Sequence, residues 1–336
     1  MNLAINLQSK GKIMKVLVTG AGGFVGSHLA EKCVENGYEV MAYVHYNSSN
    51  NWGFLESSIY KNNIKFITGD IRDFDSVASA MAKVDTVFHL AALIGIPYSY
   101  VSPLAYIKTN VEGTYNILQA AKVLGTKNVL VTSTSETYGT AQYVPIDEKH
   151  PMVGQSPYSA SKIGADNLAV SYFRSFSTPV KIVRPFNIYG PRQSARAIIP
   201  SVIIQILNGQ RKLKLGNVEP TRDLTFVKDT VSGFLKIANE DKFNGEYVNV
   251  GMKHEISILD LVNLIAKLMK AEVEITSDEQ RIRPTHSEVE RLYCENQKLV
   301  QETGWTPDYN LEKGLIETID WLAKNKHFYK SDVYNV

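Results

Sequence analysis

KVLVTGAGGFVGSHLAEKCVENG, residues 15–37, joins a short β-rich run to a helix through a loop that holds Gly20, Gly23 and Gly26. The run KVLVTG closes on a glycine. The apolar positions of SHLAEKCVENG recur at helical spacing and stop at Gly37, a natural C-cap. Between strand and helix a tight turn needs one glycine. Close backbone approach to a pyrophosphate needs another, and packing of helix on strand needs the third. The helix start then offers unpaired N–H groups and the positive end of its dipole to phosphate. A bare glycine triplet reads equally well as a structural turn; its place between a buried strand and an amphipathic helix makes it a dinucleotide-binding loop.

The same alternation continues outward. YEVMAYV (38–44), IKFITGD (64–70), VDTVFHLAA (84–92), NVLVTSTSE (128–136) and PVKIVRPFN (179–187) read as further strands, and DFDSVASAMAKV (73–84) and the stretches 103–125 and 156–174 as helices. Near-continuous apolar character, rather than strict alternation, fits parallel strands covered on both faces. The expected fold is an α/β doubly wound parallel sheet, Rossmann-like. After Gly190 the rhythm changes. Helices are read over 197–209, 225–239, 256–270 and 311–325, and short strands at LKLG (213–216), YVNVG (247–251) and EVEIT (272–276). The expected division is an N-terminal extension (1–13), a dinucleotide-binding domain (14–190) and a smaller substrate cap (191–336), with one or more cap segments returning to the sheet.

Composition narrows the function classes. The 336 residues are 44% apolar, with 36 Lys plus Arg against 34 Asp plus Glu, a formal charge of +2. That excludes bulk disorder and argues against a nucleic-acid or polyanion partner. No stretch has the apolar length of a membrane span. Cys33 and Cys294 stand far apart without metal-ligand spacing, so neither a disulfide scaffold nor a metal site is expected. The opening MNLAINLQSKGKI has no continuous apolar core or small-residue cleavage pattern, so the expected compartment is the cytoplasm.

The GxxGxxG spacing resembles that of the extended short-chain dehydrogenase/reductase superfamily. The resemblance implies cofactor contacts from Gly20, Gly23, Phe24, Val25 and Gly26, from Asp70 and Ile71 after the third strand, and from Leu90, Ala91 and Ala92 after the fourth. At the end of the second strand an acid would hold the adenosine ribose and an arginine would accept a 2′-phosphate. This chain has neither, offering His45, Asn47 and Ser48. The missing arginine points to NAD, with NADP left open. Tyr158 and Lys162 in PYSASK lie four apart on one helix face. A tyrosine with a pKa of about 10 is a poor base at neutral pH; a lysine cation and a nicotinamide ring beside it bring the phenolate into range. Thr134, at the end of the fifth strand, matches the superfamily's Ser/Thr that holds the reacting hydroxyl. Ser135 and Glu136 follow it. Simple alcohol oxidation has no work for Glu136; breaking a C–H bond alpha to a carbonyl does.

That set resembles the nucleotide-sugar 4,6-dehydratases. Five long stretches, 46–56, 89–100, 133–151, 155–169 and 184–200, resemble the dehydratases that open legionaminic acid biosynthesis on nucleotide-linked N-acetylglucosamine. The resemblance implies Tyr158 as redox base, Lys162 as its activator, Thr134 holding O4 and Glu136 as C5 base. Ser135 stands where the dTDP-glucose branch has an acidic Asp. Asn187, Arg192, Arg222, Arg283 and Glu288 are the implied sugar-nucleotide ligands, the Arg222 and Arg283 forks suiting a diphosphate. A homodimer through the helices near 103–125 and 156–174 is implied by analogy. Three other readings stand beside it: a UDP-glucuronate decarboxylase using Arg192 or Arg196 for the carboxylate, a 4-epimerase, and a non-catalytic dinucleotide-sensing module.

Overall fold

The computed structural model describes residues 13–330, so residues 1–12 of the N-terminal extension lie outside the described residues. The strands in chain order are β1 (Lys15–Thr19), β2 (Glu39–His45), β3 (Ile64–Gly69), β4 (Thr86–His89), β5 (Asn128–Thr132), β6 (Val180–Pro185), β7 (Asn187–Tyr189), β8 (Lys212–Leu215), β9 (Thr221–Phe226), β10 (Tyr247–Val250), β11 (Glu255–Ser257) and β12 (Glu274–Ser277). Seven form one sheet in the order β10-β6-β5-β4-β1-β2-β3, every neighbouring pair parallel. The succession reverses between β1 and β4, and at such a point the carboxyl ends of the strands open a crevice. Side chains alternate across the sheet. Val16, Val18, Val40 and Ala42 pack with Leu29, Ala30 and Cys33, while Leu17, Met41 and Tyr43 pack with Ile117, Leu118 and Ala169. Both faces are therefore covered, which is why the strands read as continuous apolar runs.

Two helices carry the site. Pro157–Phe176 starts at Ser156, whose side chain accepts the Ser159 N–H while Ser159 reaches back to the Ser156 N–H, with Pro157 in the first turn. The helix expected over 103–125 runs as Pro103–Tyr106, a π-helical stretch Ile107–Glu112 and Gly113–Leu124, closing on Gly125 at φ +66. The π stretch turns Asn110 inward. Its side chain bonds both the N–H (2.8 Å) and the carbonyl (2.9 Å) of Leu93 and the Ser161 hydroxyl (3.0 Å), tying the loop after β4 to the helix Pro157–Phe176.

The cap is built on a three-stranded sheet, β11-β9-β7, and the β12–β8 pair, around Val202, Ile203, Leu261, Val262 and Leu315. The chain passes back and forth: β7 leaves the sheet domain to pair with β9, while β10 and the helix Val227–Ala238 return to it. Two expectations are corrected. Ile256 and Ser257, read into the helix over 256–270, belong to β11, and that helix begins at Ile258. Residues 225–239 read as a single helix, but Thr225 and Phe226 end β9 and the helix begins at Val227. β9 is held on both edges, by β11 and by β7, and its buried Asp223 carboxylate accepts N–H groups of Met252, His254 and Cys294. Those long-range bonds outweigh local helical patterning. No helix among the described residues is long and apolar enough to cross a membrane.

Asn110→Ala strands the buried polar groups of Leu93. Each unpaired group costs about 1–3 kcal/mol, so the denaturation midpoint should fall by the equivalent of about 3 kcal/mol; a variant as stable as the parent would remove Asn110 from this role.

Candidate active site

The carboxyl ends of β1, β4 and β5 face the cap across one cleft of about 1470 Å³. At its cofactor end Gly20 closes β1 at φ +70, a conformation strained for any residue with a side chain. A Cβ on Gly26 would sit 2.2 Å from the Gly20 carbonyl oxygen, so the turn closes only around glycine. Phe24, Val25 and Gly26 open the helix Phe24–Glu35, with N–H groups that no preceding turn can satisfy, and they line the cleft. The loop after β4 is drawn beneath them: the Leu90 and Ala91 N–H groups both donate to Thr19 Oγ1 at 3.1 Å. Thr19 also bonds His89 Nδ1 at 2.9 Å, and burial, with the Lys162 cation, lowers the pKa of His89 to about 3, so that ring stays neutral.

Where β2 and β3 end, His45 Nε2 lies 3.8 Å from Asp70 Oδ2. The Arg72 side chain grips the same carboxylate through both oxygens and holds Asp70 below the usual carboxylate range. Arg72 at this end of the cleft is thereby neutralised rather than offered to a 2′-phosphate. Asn47 and Ser48 are placed otherwise than the sequence reading has them, since neither lines the cleft. Asn47 instead bonds the Asn51 N–H (2.9 Å) and carbonyl (2.7 Å), folding its own loop. That fold presents Asn51, Trp52, Gly53 and Phe54 to the cleft, residues the reading missed. Trp52 stacks on Phe66 at 4.0 Å, and the Phe54 N–H donates to the Gly22 carbonyl, so the loop sits on the glycine turn.

The reacting end gathers from three elements. Tyr158 is buried in the wall, and burial pushes its phenol above the ordinary range; hydrogen bonding with Thr134 pulls it down and the Glu136 charge pushes it up. Lys162 Nζ donates to the Thr132 carbonyl at 2.6 Å, and burial lowers its pKa to about 8 against the pull of Asp166. Ser135 and Glu136 begin the 3₁₀ turn Ser135–Tyr138, where the Glu136 N–H donates to Thr134 Oγ1 at 3.2 Å. Both line the cleft, and among the described residues the Glu136 carboxylate accepts no hydrogen bond.

Arg222 rises opposite, buried, with its Nη1 on the Thr221 carbonyl (2.9 Å) and its Nη2 on Glu288 (3.0 Å). Arg283 reaches the same Glu288 oxygen at 3.4 Å, so one carboxylate bridges two guanidinium groups. Asn187 lines the cleft at the start of β7, and its buried Oδ1 accepts no hydrogen bond among the described residues. Arg192 is placed differently from its reading as a ligand. Although it lines the cleft, its guanidinium is engaged with Glu31 (2.9 and 3.0 Å) and Ser27 (3.0 Å) on the cofactor helix, where it anchors the loop into the cap. Arg196 lines the cleft with only Ser194 as hydrogen-bond partner among the described residues.

The glycine turn, the free helix N-terminus and the orphaned Asn187 acceptor suit a dinucleotide lying beside a hydroxyl-rich substrate. Comparison with known proteins agrees. A profile of the GDP-mannose 4,6 dehydratase family matches residues 17–318. Human dTDP-D-glucose 4,6-dehydratase is 30% identical over 330 residues, covering 96% of this chain and 93% of the human protein. An Arabidopsis thaliana trifunctional enzyme that includes a UDP-glucose 4,6-dehydratase is also 30% identical, and this chain spans 48% of its length. Among solved structures, the Streptomyces venezuelae dTDP-glucose 4,6-dehydratase with NAD bound superposes with a TM-score of 0.84 at 28% identity, covering 94% of this chain and 99% of that one. The Bacillus cereus UDP-glucuronic acid 4-epimerase with NAD gives the same score and identity over 94% and 100%.

Gly26→Ala forces the new methyl against the Gly20 carbonyl. Affinity for NAD, followed by calorimetric titration, should fall at least about tenfold, the equivalent of 1.4 kcal/mol; unchanged binding would show that the turn does not cradle the dinucleotide.

Proposed function

This chain belongs to the GDP-mannose 4,6-dehydratase family of NAD-dependent nucleotide-sugar enzymes, and from that premise we propose that it converts UDP- or GDP-N-acetylglucosamine to the 4-keto-6-deoxy sugar. The observation that carries the reading is the Glu136 carboxylate, which accepts no hydrogen bond among the described residues and lies close enough to Tyr158 and to the Arg222 cation for its charge to act on both. When bound, the nicotinamide supplies the hydride acceptor for C4 and the hydride donor for C6. The chain's own residues move the protons. Tyr158 takes the O4 proton while Thr134 steadies the oxygen, and the cation of Lys162 favours the phenolate that does so. The resulting C4 ketone acidifies the C5 proton, which Glu136 removes. The C6 hydroxyl then leaves as water, carrying the proton that Glu136 holds; Ser135, buried beside it, has no acidic proton to give. As the hydride returns to C6, C5 takes up one proton from solvent, balanced by the O4 proton that Tyr158 releases to solvent. Arg222 and Arg283 would exchange Glu288 for the diphosphate, and Asn187 Oδ1 would accept a sugar or nucleotide donor.

One observation favours a second reading. Arg196, a cation in the cleft with no carboxylate partner among the described residues, would suit a glucuronate and hence the decarboxylase. A second copy of the chain is the proposed partner, supported by exposed Leu104, Ile107, Tyr115, Val123 and Phe176 on the two long helices.

Incubation with each nucleotide sugar, read by mass spectrometry, should give loss of one water from the N-acetylglucosamine substrate without net NADH. Release of carbon dioxide from UDP-glucuronate, or a mass-neutral epimer, would replace this reading. Glu136→Gln should slow dehydration by about 10²–10⁴-fold while C4 oxidation persists. Light scattering should give a mass of two chains, reduced to one by Leu104→Glu with Ile107→Glu; an unaltered mass would move the interface elsewhere.

A further inference from the structure

Tyr158, Lys162 and Asp166 are spaced by four and share one face of the helix Pro157–Phe176. Three consecutive residues leaving β5 meet that face. The Thr132 carbonyl accepts from Lys162 Nζ at 2.6 Å, the Ser133 hydroxyl donates to Asp166 Oδ2 at 2.8 Å, and Thr134 faces Tyr158. The deepest of the three contacts holds an ion pair. Asp166 Oδ2 also accepts from Arg184 Nε (3.1 Å) and Nη2 (2.9 Å), and the two side chains are 0% and 1% exposed. The guanidinium lies over the Tyr247 ring at 3.8 Å and the Tyr138 ring at 4.8 Å. Three donors thus converge on one carboxylate oxygen, while the other, Oδ1, is buried and accepts no hydrogen bond among the described residues. Its charge acts through space, and one helical turn away stands Lys162.

We propose that Asp166 is a positioning residue for the reaction: it pins the end of β5 to the helix that carries Tyr158 and supplies the negative charge that keeps buried Lys162 protonated. The inference rests on the reading that the chain oxidises a sugar with bound NAD. The charged and titratable groups around Lys162 leave this work to Asp166. His89 on β4 is neutral, Arg184 on β6 is itself a cation, and Glu136 stands on the Tyr158 side. Burial lowers the Lys162 pKa to about 8, and Asp166 is the charge that opposes the fall. The same carboxylate raises the proton affinity of Tyr158. Removing its charge therefore moves both groups the same way: Lys162 loses its proton, and Tyr158 forms phenolate, at lower pH. A reaction that needs Lys162 charged and Tyr158 ionised shifts both limbs of its pH profile to the acid side. Loss of packing alone lowers the plateau and leaves the limbs in place.

The test uses the full-length enzyme loaded with NAD. Heteronuclear NMR titration of the Lys162 ammonium, assigned with Lys162→Met, should show the midpoint in Asp166→Asn about one pH unit or more below that of the parent. An unmoved midpoint overturns the proposal, and this measurement needs no substrate, so it stands apart from the assignment of the reaction. The second readout is NADH formed in a single turnover with nucleotide sugar across pH. Both limbs should move to lower pH in Asp166→Asn, whereas Ser133→Ala should lower the rate with limbs unmoved; limbs that stay in place in Asp166→Asn also overturn it. If Asp166→Asn leaves Arg184 unpaired and fails to fold, Asp166→Asn with Arg184→Met removes both charges together. The midpoint should still fall there, because the charge acting on Lys162 is that of Asp166.

Discussion

The end of β5 has to meet the helix Pro157–Phe176 in one register, and the rest of the site follows from that constraint. Thr132, Ser133 and Thr134 address Lys162, Asp166 and Tyr158, so a slip of one residue would turn Thr134 away from the phenol and carry Glu136 with it. Taking an ion pair out of water is costly unless its hydrogen bonds are nearly complete. Arg184 and Ser133 satisfy one oxygen of Asp166, and the tyrosine rings cover the guanidinium. A pair that is expensive to break resists slippage better than an apolar contact, which tolerates sliding.

Around that anchor the cleft is a set of opposed charges held apart by the two parts of the chain. Arg192 clamps the loop entering the cap to Glu31 and Ser27 on the cofactor helix, and His28 adds a bond to the Pro191 carbonyl. Across the cleft Glu288 bridges Arg222 and Arg283. A formal charge of +2 over 336 residues gives no hint of this arrangement, because local excesses of opposite sign cancel in the sum. Half-buried charges facing each other in a cleft interact more strongly than the same charges in water, and here Glu288 holds both Arg222 and Arg283.

Local signals in the chain were enough for the sheet, the glycine turn and the helix face shared by Tyr158 and Lys162. Short-range rules govern each: period-two packing in β1, a helix start after Gly23, and a four-residue spacing from Tyr158 to Lys162. Where long-range bonds decide, the same rules misread. Thr225 and Phe226 look helical, yet they complete β9 because Ile188 and Tyr189 of β7 pair with them. Asn47 looks like a ribose ligand and instead folds its own loop, handing the cleft to Trp52 and Phe54. Arg192 resembles a ligand in its motif, but Glu31 lies 161 residues away in sequence and no local pattern announces that pairing.

The sequence by itself determined the α/β class, the glycine turn after β1 and the four-residue spacing that puts Tyr158 and Lys162 on one helix face, since each depends on neighbours within about two turns of helix or one strand. Only the tertiary structure decided which carboxylate each cleft arginine meets, which loop sits on the glycine turn and how Asp166 finds Arg184 and Ser133. Those are questions of who meets whom across the fold. Burial sets their answers, because a charge removed from water must find its partner wherever the chain has brought one.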